Sequence, residues 1–406
     1  KHVRVETEIN ETIAYAREAS ERSENWADGF ADWIEITVGT DALDPADIPA
    51  DVFSTLDPQL QTYYREQHRE ISDFGAFHNR VQVPVMQITG WWDRLIGTVD
   101  NFAGITQNGP EPLRQEHRLI IGPWGHDSTQ FSRKIGPVDY GPEAARSYSD
   151  LIARWYDFQF KGAANGLAEE DPVQLYILGE NRWRGEKEWP LARTRYTEFY
   201  LHSGGNANTV AGDGTLTTLP PDDEAPDHYV YDPRDPVMSL MRADSQAAPV
   251  DQAPHDYRRD ILFYETPPLL EEIELTGPVS LILWAQTDAA DTDWTAKLAV
   301  VFEDGLAMNL TYGIMRAQYR EGYENPRPIE ANVPLQYRVR LNPMGILLKP
   351  NQRLRLYVSS SDFPNFDRNH NSGKPFWSDA ELRVARQTIF HDAGRPSRLV
   401  LPVVPR

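Results

Sequence analysis

Two short runs hold residues able to do acid–base chemistry together: Gly90-Trp91-Trp92-Asp93 and Gly122-Pro123-Trp124-Gly125-His126. A carboxylate beside an imidazole fixes the ring's tautomer and steadies its charged form. Such a ring can take a proton from a hydroxyl nucleophile and return it to a leaving group. Each residue alone has a plainer reading, since Asp often ends a strand as a turn or capping residue and a loop His is often structural. Position is what sets the pair apart. Each run follows an apolar stretch fit for a buried strand, Val81–Thr89 (VQVPVMQIT) and His117–Gly122 (HRLIIG). In open α/β sheets, functional residues gather at the carboxyl ends of strands.

The elements around these runs fit that placement. Thr98–Ile105 reads as the start of a helix after the first loop. Ala144–Phe160 reads as an amphipathic helix after the second, with Leu151, Trp155 and Phe158 on its apolar positions and a stop near Gly162. Strand, loop, helix, strand, loop, helix is the pattern of a parallel sheet. An Asp after one strand and a His after the next is the α/β-hydrolase order for the last two members of a triad. Upstream, residues 1–78 are polar and helical in character, with Glu6–Ala27 and Asp57–Ser72 as helices. Downstream, short runs recur between turn signals, among them Val173–Leu178, Val279–Ala285, Ala296–Phe302, Tyr337–Leu341 and Arg353–Ser359. The expected architecture is therefore residues 1–78 as a helical segment, 79–168 as α/β, and 169–406 as a β-sandwich, a jelly roll.

Composition excludes several functions. The chain has 406 residues, a net charge of -21 and no cysteine. Such a field repels phosphate backbones, so no nucleic-acid partner is expected, and no anionic membrane. Disulfides, thiolate catalysis and Cys-ligated metal are out. No apolar run is long enough to span a bilayer. The ten His show no H-x-x-x-H or H-E-x-x-H spacing, so no zinc site and no metal is expected. The compartment is not legible. The chain opens on Lys1 with no signal-peptide core after it, which reads as a processing, cloning or fragmentation boundary.

Other runs have two readings each. Asp291-Thr-Asp293 resembles a carboxylate cluster for metal, but reads first as a tight loop before Ala296–Phe302 whose side chains bond backbone. Asp367, Arg368, Asn369 and Asn371 suit a buried polar network. Tyr231–Pro236 (YDPRDP) suits either a Pro-stiffened turn or the mouth of a site. Trp91, Trp92 and Trp124 flank the two candidate catalytic residues, where they either wall an apolar acyl pocket or pack as core.

Five stretches in order, Ile88–Gly97 (ITGWWDRLIG), Arg118–His126 (RLIIGPWGH), Tyr231–Pro236, Asp291–Leu298 (DTDWTAKL) and Val358–Asn371 (VSSSDFPNFDRNHN), resemble the X-Pro dipeptidyl-peptidase family and its cocaine-esterase-like branch. The resemblance implies the C-terminal part of an α/β-hydrolase core with an inserted helical cap, residues 1–78 falling in that cap, and a C-terminal jelly roll. It implies a serine hydrolase acting on a small ester or amide without a cofactor, with Asp93 as the triad acid and His126 as the base. Trp92, Leu95 and Trp124 are then substrate-pocket candidates, and Val237–Asp244 faces the acyl site. Arg94 beside Asp93 disfavours substrates carrying a free α-ammonium group. One part of the pattern is missing. The family's nucleophile sits on a G-x-S-x-G elbow upstream of the cap, together with an oxyanion-hole tyrosine, and this sequence has no such elbow. Neither Ser128 nor Ser359, Ser360 and Ser361 fills that role. The expectation is an N-terminal segment or a second chain that carries the serine. The other reading is a non-catalytic binding or assembly subunit built on the jelly roll.

Overall fold

The computed structural model describes residues 75–93, 95–126, 131–240, 249–322, 326–374 and 381–406. The expected helices Glu6–Ala27 and Asp57–Ser72, Arg94, Ser128 and the second half of the Val237–Asp244 loop lie outside the described residues.

Two apolar runs become neighbouring parallel strands. β1 (Met86–Gly90) pairs with β2 (Arg118–Gly122) in the register Met86↔Arg118 to Gly90↔Gly122. Every residue of β2 is buried, as a strand covered on both faces must be. The first strand is shorter than the run Val81–Thr89, because its early residues stay irregular. α1 (Ile96–Asn108) follows β1 and buries Val99, Phe102 and Ile105 at helical spacing. Two small strands, β3 (Lys134–Ile135) and β4 (Val138–Asp139), form a hairpin before the next helix.

α2 (Tyr148–Lys161) begins four residues later than its apolar pattern, because Ser147 caps it by accepting a hydrogen bond from the Asp150 N–H. It ends at Gly162, whose φ of 63° is left-handed and suits a residue without Cβ. β5 (Val173–Ile177) pairs in parallel with β2, and β6 (Arg182–Glu186) turns back on β5. The first sheet therefore runs past residue 168, and two strands of the third segment belong to it.

The rest is β-rich. β7 (Arg195–His202), β8 (Thr215–Thr217), β9 (Asp227–Tyr231), β10 (Leu262–Glu265), β11 (Ile273–Thr287), β12 (Asp293–Val301), β13 (Ala307–Arg316), β14 (Leu335–Leu348), β15 (Arg353–Ser359), β16 (Ala385–Phe390) and β17 (Arg398–Val404) make one sheet among the described residues, ordered 14-13-12-15-10-8-7-17-11-16-9. β14 also pairs with β11 from Ile273↔Leu348 to Ala285↔Leu335. The sheet thus curls back on itself around Trp294, Tyr337, Leu298, Leu356 and Leu399, all at most 1% exposed. Burial of this many large apolar side chains is the main driving force for the unit.

The two sheets are tied together where it matters for the site. Leu178 donates to the Gly345 carbonyl at 2.9 Å, and Leu347 donates to the Leu178 carbonyl at 2.8 Å. Arg184 of β6 forks onto the buried Glu274 of β11 at 2.6 and 2.8 Å.

His255 gives the β unit a pH dependence. It is 5% exposed and its Nε2 lies 2.8 Å from the Met238 carbonyl. Burial first, then the nearby Lys297 ammonium, pushes its pKa down to about 4. On acidification the unfolded chain takes up this proton near pH 6.5, while the folded one waits until about 4. Stability is present above pH 6.5 and is lost as pH falls to 4, by about 3 kcal/mol. Urea midpoints measured across that window should fall for the native protein and flatten in His255→Gln; an unchanged slope in the variant would assign the acid loss to other groups.

Candidate active site

Gly90 and Gly122 are register partners at the ends of β1 and β2, so the chain leaves the sheet twice at one level. The two loops then bond to each other. Trp91 donates to the Gly122 carbonyl at 2.9 Å, Trp92 donates to the Trp124 carbonyl at 3.0 Å, and Asp93 turns back to the Gly90 carbonyl at 3.1 Å. Gly90 has no alternative here, because a Cβ on it would stand 2.0 Å from the Trp124 carbonyl oxygen.

This lacing brings together the two residues singled out by spacing. His126 Nδ1 lies 3.0 Å from Asp93 Oδ1, across 33 residues of chain. An ionised carboxylate only accepts, so Nδ1 carries the hydrogen and Nε2 presents a lone pair. The Asp93 side chain is 18% exposed and the His126 side chain 72%. The acid is held in the floor while the ring faces outward, so the free nitrogen is open to an approaching hydroxyl.

Each member of the pair stands two positions after a buried, anchored tryptophan. Trp91 donates its indole N–H to the Tyr176 carbonyl at 2.6 Å, and Trp124 donates to the Ala144 carbonyl at 2.7 Å. Trp124 also stacks on Phe131 with ring centres 3.9 Å apart. Trp92, Leu95 and Trp124 are 3%, 0% and 1% exposed. Among the described residues these three side chains are buried beneath the loops. The indole N–H groups find carbonyl partners 85 and 20 residues away, which local sequence does not reveal.

The remaining candidates stay in the β unit. Asp291 and Asp293 both accept from the Asn369 amide at 2.9 Å, Asp293 is forked by Arg316, and Arg316 reaches Asp367. Gln318 bonds Asp291 through backbone and side chain. Burial, then the adjacent Asp293, raises the Asp291 pKa to about 6. The network joins side chains to one another and to the Gln318 backbone N–H, and it binds strand ends together. Tyr231–Pro236 forms a turn in which Asp235 donates to the Asp232 carbonyl, while the Tyr231 hydroxyl bonds the Asn369 carbonyl and Arg368 bonds the Pro233 carbonyl. Ser359 bonds the Asp260 carbonyl, Ser360 meets Tyr229 and Gln387, and Ser361 accepts from the Val237 N–H. Among the described residues no cluster of His, Asp and Glu is arranged to hold a metal ion, and no helix is long and apolar enough to cross a membrane.

Comparison with known proteins shows the family. A family model described as the X-Pro dipeptidyl-peptidase C-terminal non-catalytic domain matches residues 165–400, and one described as X-Pro dipeptidyl-peptidase (S15 family) matches residues 14–128. The cocaine esterase of Rhodococcus sp. (strain MB1 Bresler) is 36% identical over 333 residues, which is 80% of this chain and 57% of that protein. Among solved structures, an α-amino acid ester hydrolase is similar with a TM-score of 0.77 and 26% identity, covering 89% of this chain and 63% of that one. An aminopeptidase from a marine sediment Thaumarchaeota archaeon shares the fold, with a TM-score of 0.73 and 24% identity over 84% of this chain and 58% of that one. These solved neighbours have an α/β-hydrolase core. The chain spans less than two thirds of each.

Proposed function

The chain belongs to the X-Pro dipeptidyl-peptidase family, and from that premise we propose that it supplies the acid–base half of a serine hydrolase. The observation that carries the reading is the 3.0 Å bond between His126 Nδ1 and Asp93 Oδ1 at the ends of two parallel strands, with Nε2 left open. A serine hydroxyl placed at Nε2 gives its proton to His126 as its oxygen bonds the substrate carbonyl carbon. Asp93 steadies the imidazolium. Collapse of the tetrahedral adduct breaks the bond to the leaving group, which takes that proton from Nε2. Water repeats the sequence on the acyl-enzyme. No metal or organic cofactor enters any step.

The serine comes from an N-terminal segment or a partner chain. The substrate is a small ester in the first place, in keeping with the names of the cocaine esterase and the α-amino acid ester hydrolase, and an amide in the second. In this reading residues 1–78 belong to the helical cap. Residues 79–168 with β5 and β6 complete the C-terminal half of the hydrolase core, and the closed β unit is a jelly roll.

The test is intact mass spectrometry of the protein from its complete gene, before and after an irreversible phosphonylating serine probe. Probe mass gained on a serine outside this sequence, with labelling abolished by His126→Ala, is the expected result. A single 46.3 kDa species that never labels would leave a binding or assembly subunit instead.

A further inference from the structure

We infer that the stretch matched by the model named as non-catalytic, residues 165–400, holds the Asp93–His126 pair in register through two residues, Gly345 of β14 in the β-rich unit and Trp183 of β6 in the first sheet. The inference rests on the hydrolase reading above and assigns both as positioning residues.

The argument follows the two anchor tryptophans outward. Trp91 stands two residues before Asp93, and the edge of its indole lies against Gly345 of β14. A Cβ on Gly345 would stand 2.5 Å from Trp91 Cζ2 and 3.0 Å from Cε2. Trp91 has nowhere to retreat. It is 3% exposed, its N–H is bound to the Tyr176 carbonyl, and Trp189 packs on it at 6.1 Å. Gly345 is itself fixed, since its carbonyl accepts from Leu178 at the end of β5. Gly345 is thus the stop against which the Asp93 loop is seated.

Trp124 stands two residues before His126, and Trp183 of β6 packs on it at 5.6 Å. Trp183 donates its N–H to the Glu143 carbonyl at 2.7 Å, the residue next to the Ala144 carbonyl that holds Trp124. Arg146 lies over the Trp183 ring at 3.6 Å, which ties the same segment down a second time. Trp183 therefore clamps the segment that anchors the His126 loop. Both loops meet through the Trp92 to Trp124 backbone bond, so a shift at either support is felt by the 3.0 Å contact between the pair.

The test uses the protein from its complete gene with ¹⁵N-labelled histidine, comparing wild type, Gly345→Ala and Trp183→Phe. Three quantities are read: the thermal midpoint, the low-field proton resonance of His126 Nδ1–H bonded to Asp93, and kcat and KM on an activated ester such as p-nitrophenyl butyrate. Gly345→Ala should fold cooperatively yet lose or broaden the His126 resonance. Its kcat should fall about 10- to 100-fold, with KM changed less than about twofold. Trp183→Phe introduces no clash, so it should fold even where Gly345→Ala does not, and it should show the same two losses more weakly. Adding Trp91→Phe to Gly345→Ala should restore part of the resonance by giving the new methyl room. An unaltered resonance and unaltered kcat in a folded Gly345→Ala or Trp183→Phe protein would overturn the inference. A wild type with no esterase activity would instead defeat the hydrolase reading, while the resonance would still report on the positioning.

Discussion

Asp93→Asn should lower kcat by about four orders of magnitude with KM nearly unchanged, because the substitution attacks the charge and the tautomer without changing the shape. Asp93 Oδ1 accepts from His126 Nδ1 at 3.0 Å. An asparagine offers that position either its amide nitrogen or its oxygen. If the nitrogen faces the ring, Nδ1 must accept, the hydrogen moves to Nε2, and no base remains for the serine. If the oxygen faces the ring, the tautomer survives but no negative charge stabilises the imidazolium formed in the transition state. Both routes act on the chemical step, and neither touches substrate binding. Asp93 is set by three backbone bonds among its neighbours, so the variant keeps the loop geometry. Stopped-flow hydrolysis of an activated ester, with acylation and deacylation followed separately, should show both steps slowed. A kcat within tenfold of wild type would remove Asp93 from the triad and with it the proposed division of labour.

The pair was legible because its signal is local. A glycine ends each strand, a tryptophan follows, and the polar residue comes two positions later, so Gly90-Trp91-Trp92-Asp93 and Gly122-Pro123-Trp124-Gly125-His126 are each readable without knowing the rest of the fold. The strands β1, β2 and β5 were legible for the same reason, being nearly continuous apolar runs. β13 and β16 were not, since their interiors are partly polar. Asn309, Thr311 and Gln387 are at most 2% exposed. They are tolerated there because Asn309 accepts from the Val250 N–H, Thr311 bonds the Asn342 carbonyl, and Gln387 bonds Thr292 and Ser360. Those partners lie 27 to 95 residues away, so no window on the sequence shows that a polar residue will be satisfied. The tryptophans posed the same difficulty in reverse. An aromatic beside a catalytic residue reads equally well as a pocket wall or as core, and the distant Tyr176 and Ala144 carbonyls that anchor Trp91 and Trp124 are invisible in either run. Trp183 and Gly345 carry no local mark at all, because their role exists only where β6 and β14 reach the loops.

The largest stability effect is expected at Lys297. Its ammonium lies in the β unit with a side chain 8% exposed, held by Asp362 and Gln252 at 3.0 Å each. Asp362 is 5% exposed and also accepts from Asn365 at 3.0 Å. Lys297→Met keeps the stem's volume but strands the Asp362 carboxylate out of water, which should cost about 3–5 kcal/mol in urea unfolding. Removing both charges, as in Lys297→Met with Asp362→Leu, should recover most of that loss, because the penalty belongs to the uncompensated ion rather than to the missing bond. The cycle also bears on His255, whose pKa Lys297 helps to push down. In Lys297→Met the cation is gone and the orphaned carboxylate favours the charged ring, so the loss of stability between pH 6.5 and 4 should shrink. If the single variant loses under 1 kcal/mol, water reaches Asp362 and the pair is not buried in solution. If the double variant is no better than the single, the cost lies in packing around Lys297 and the electrostatic account fails. Both outcomes are read from denaturation curves of the wild type, the single and the double variant across that pH window, because the ion-pair account ties the size of the loss to its pH dependence.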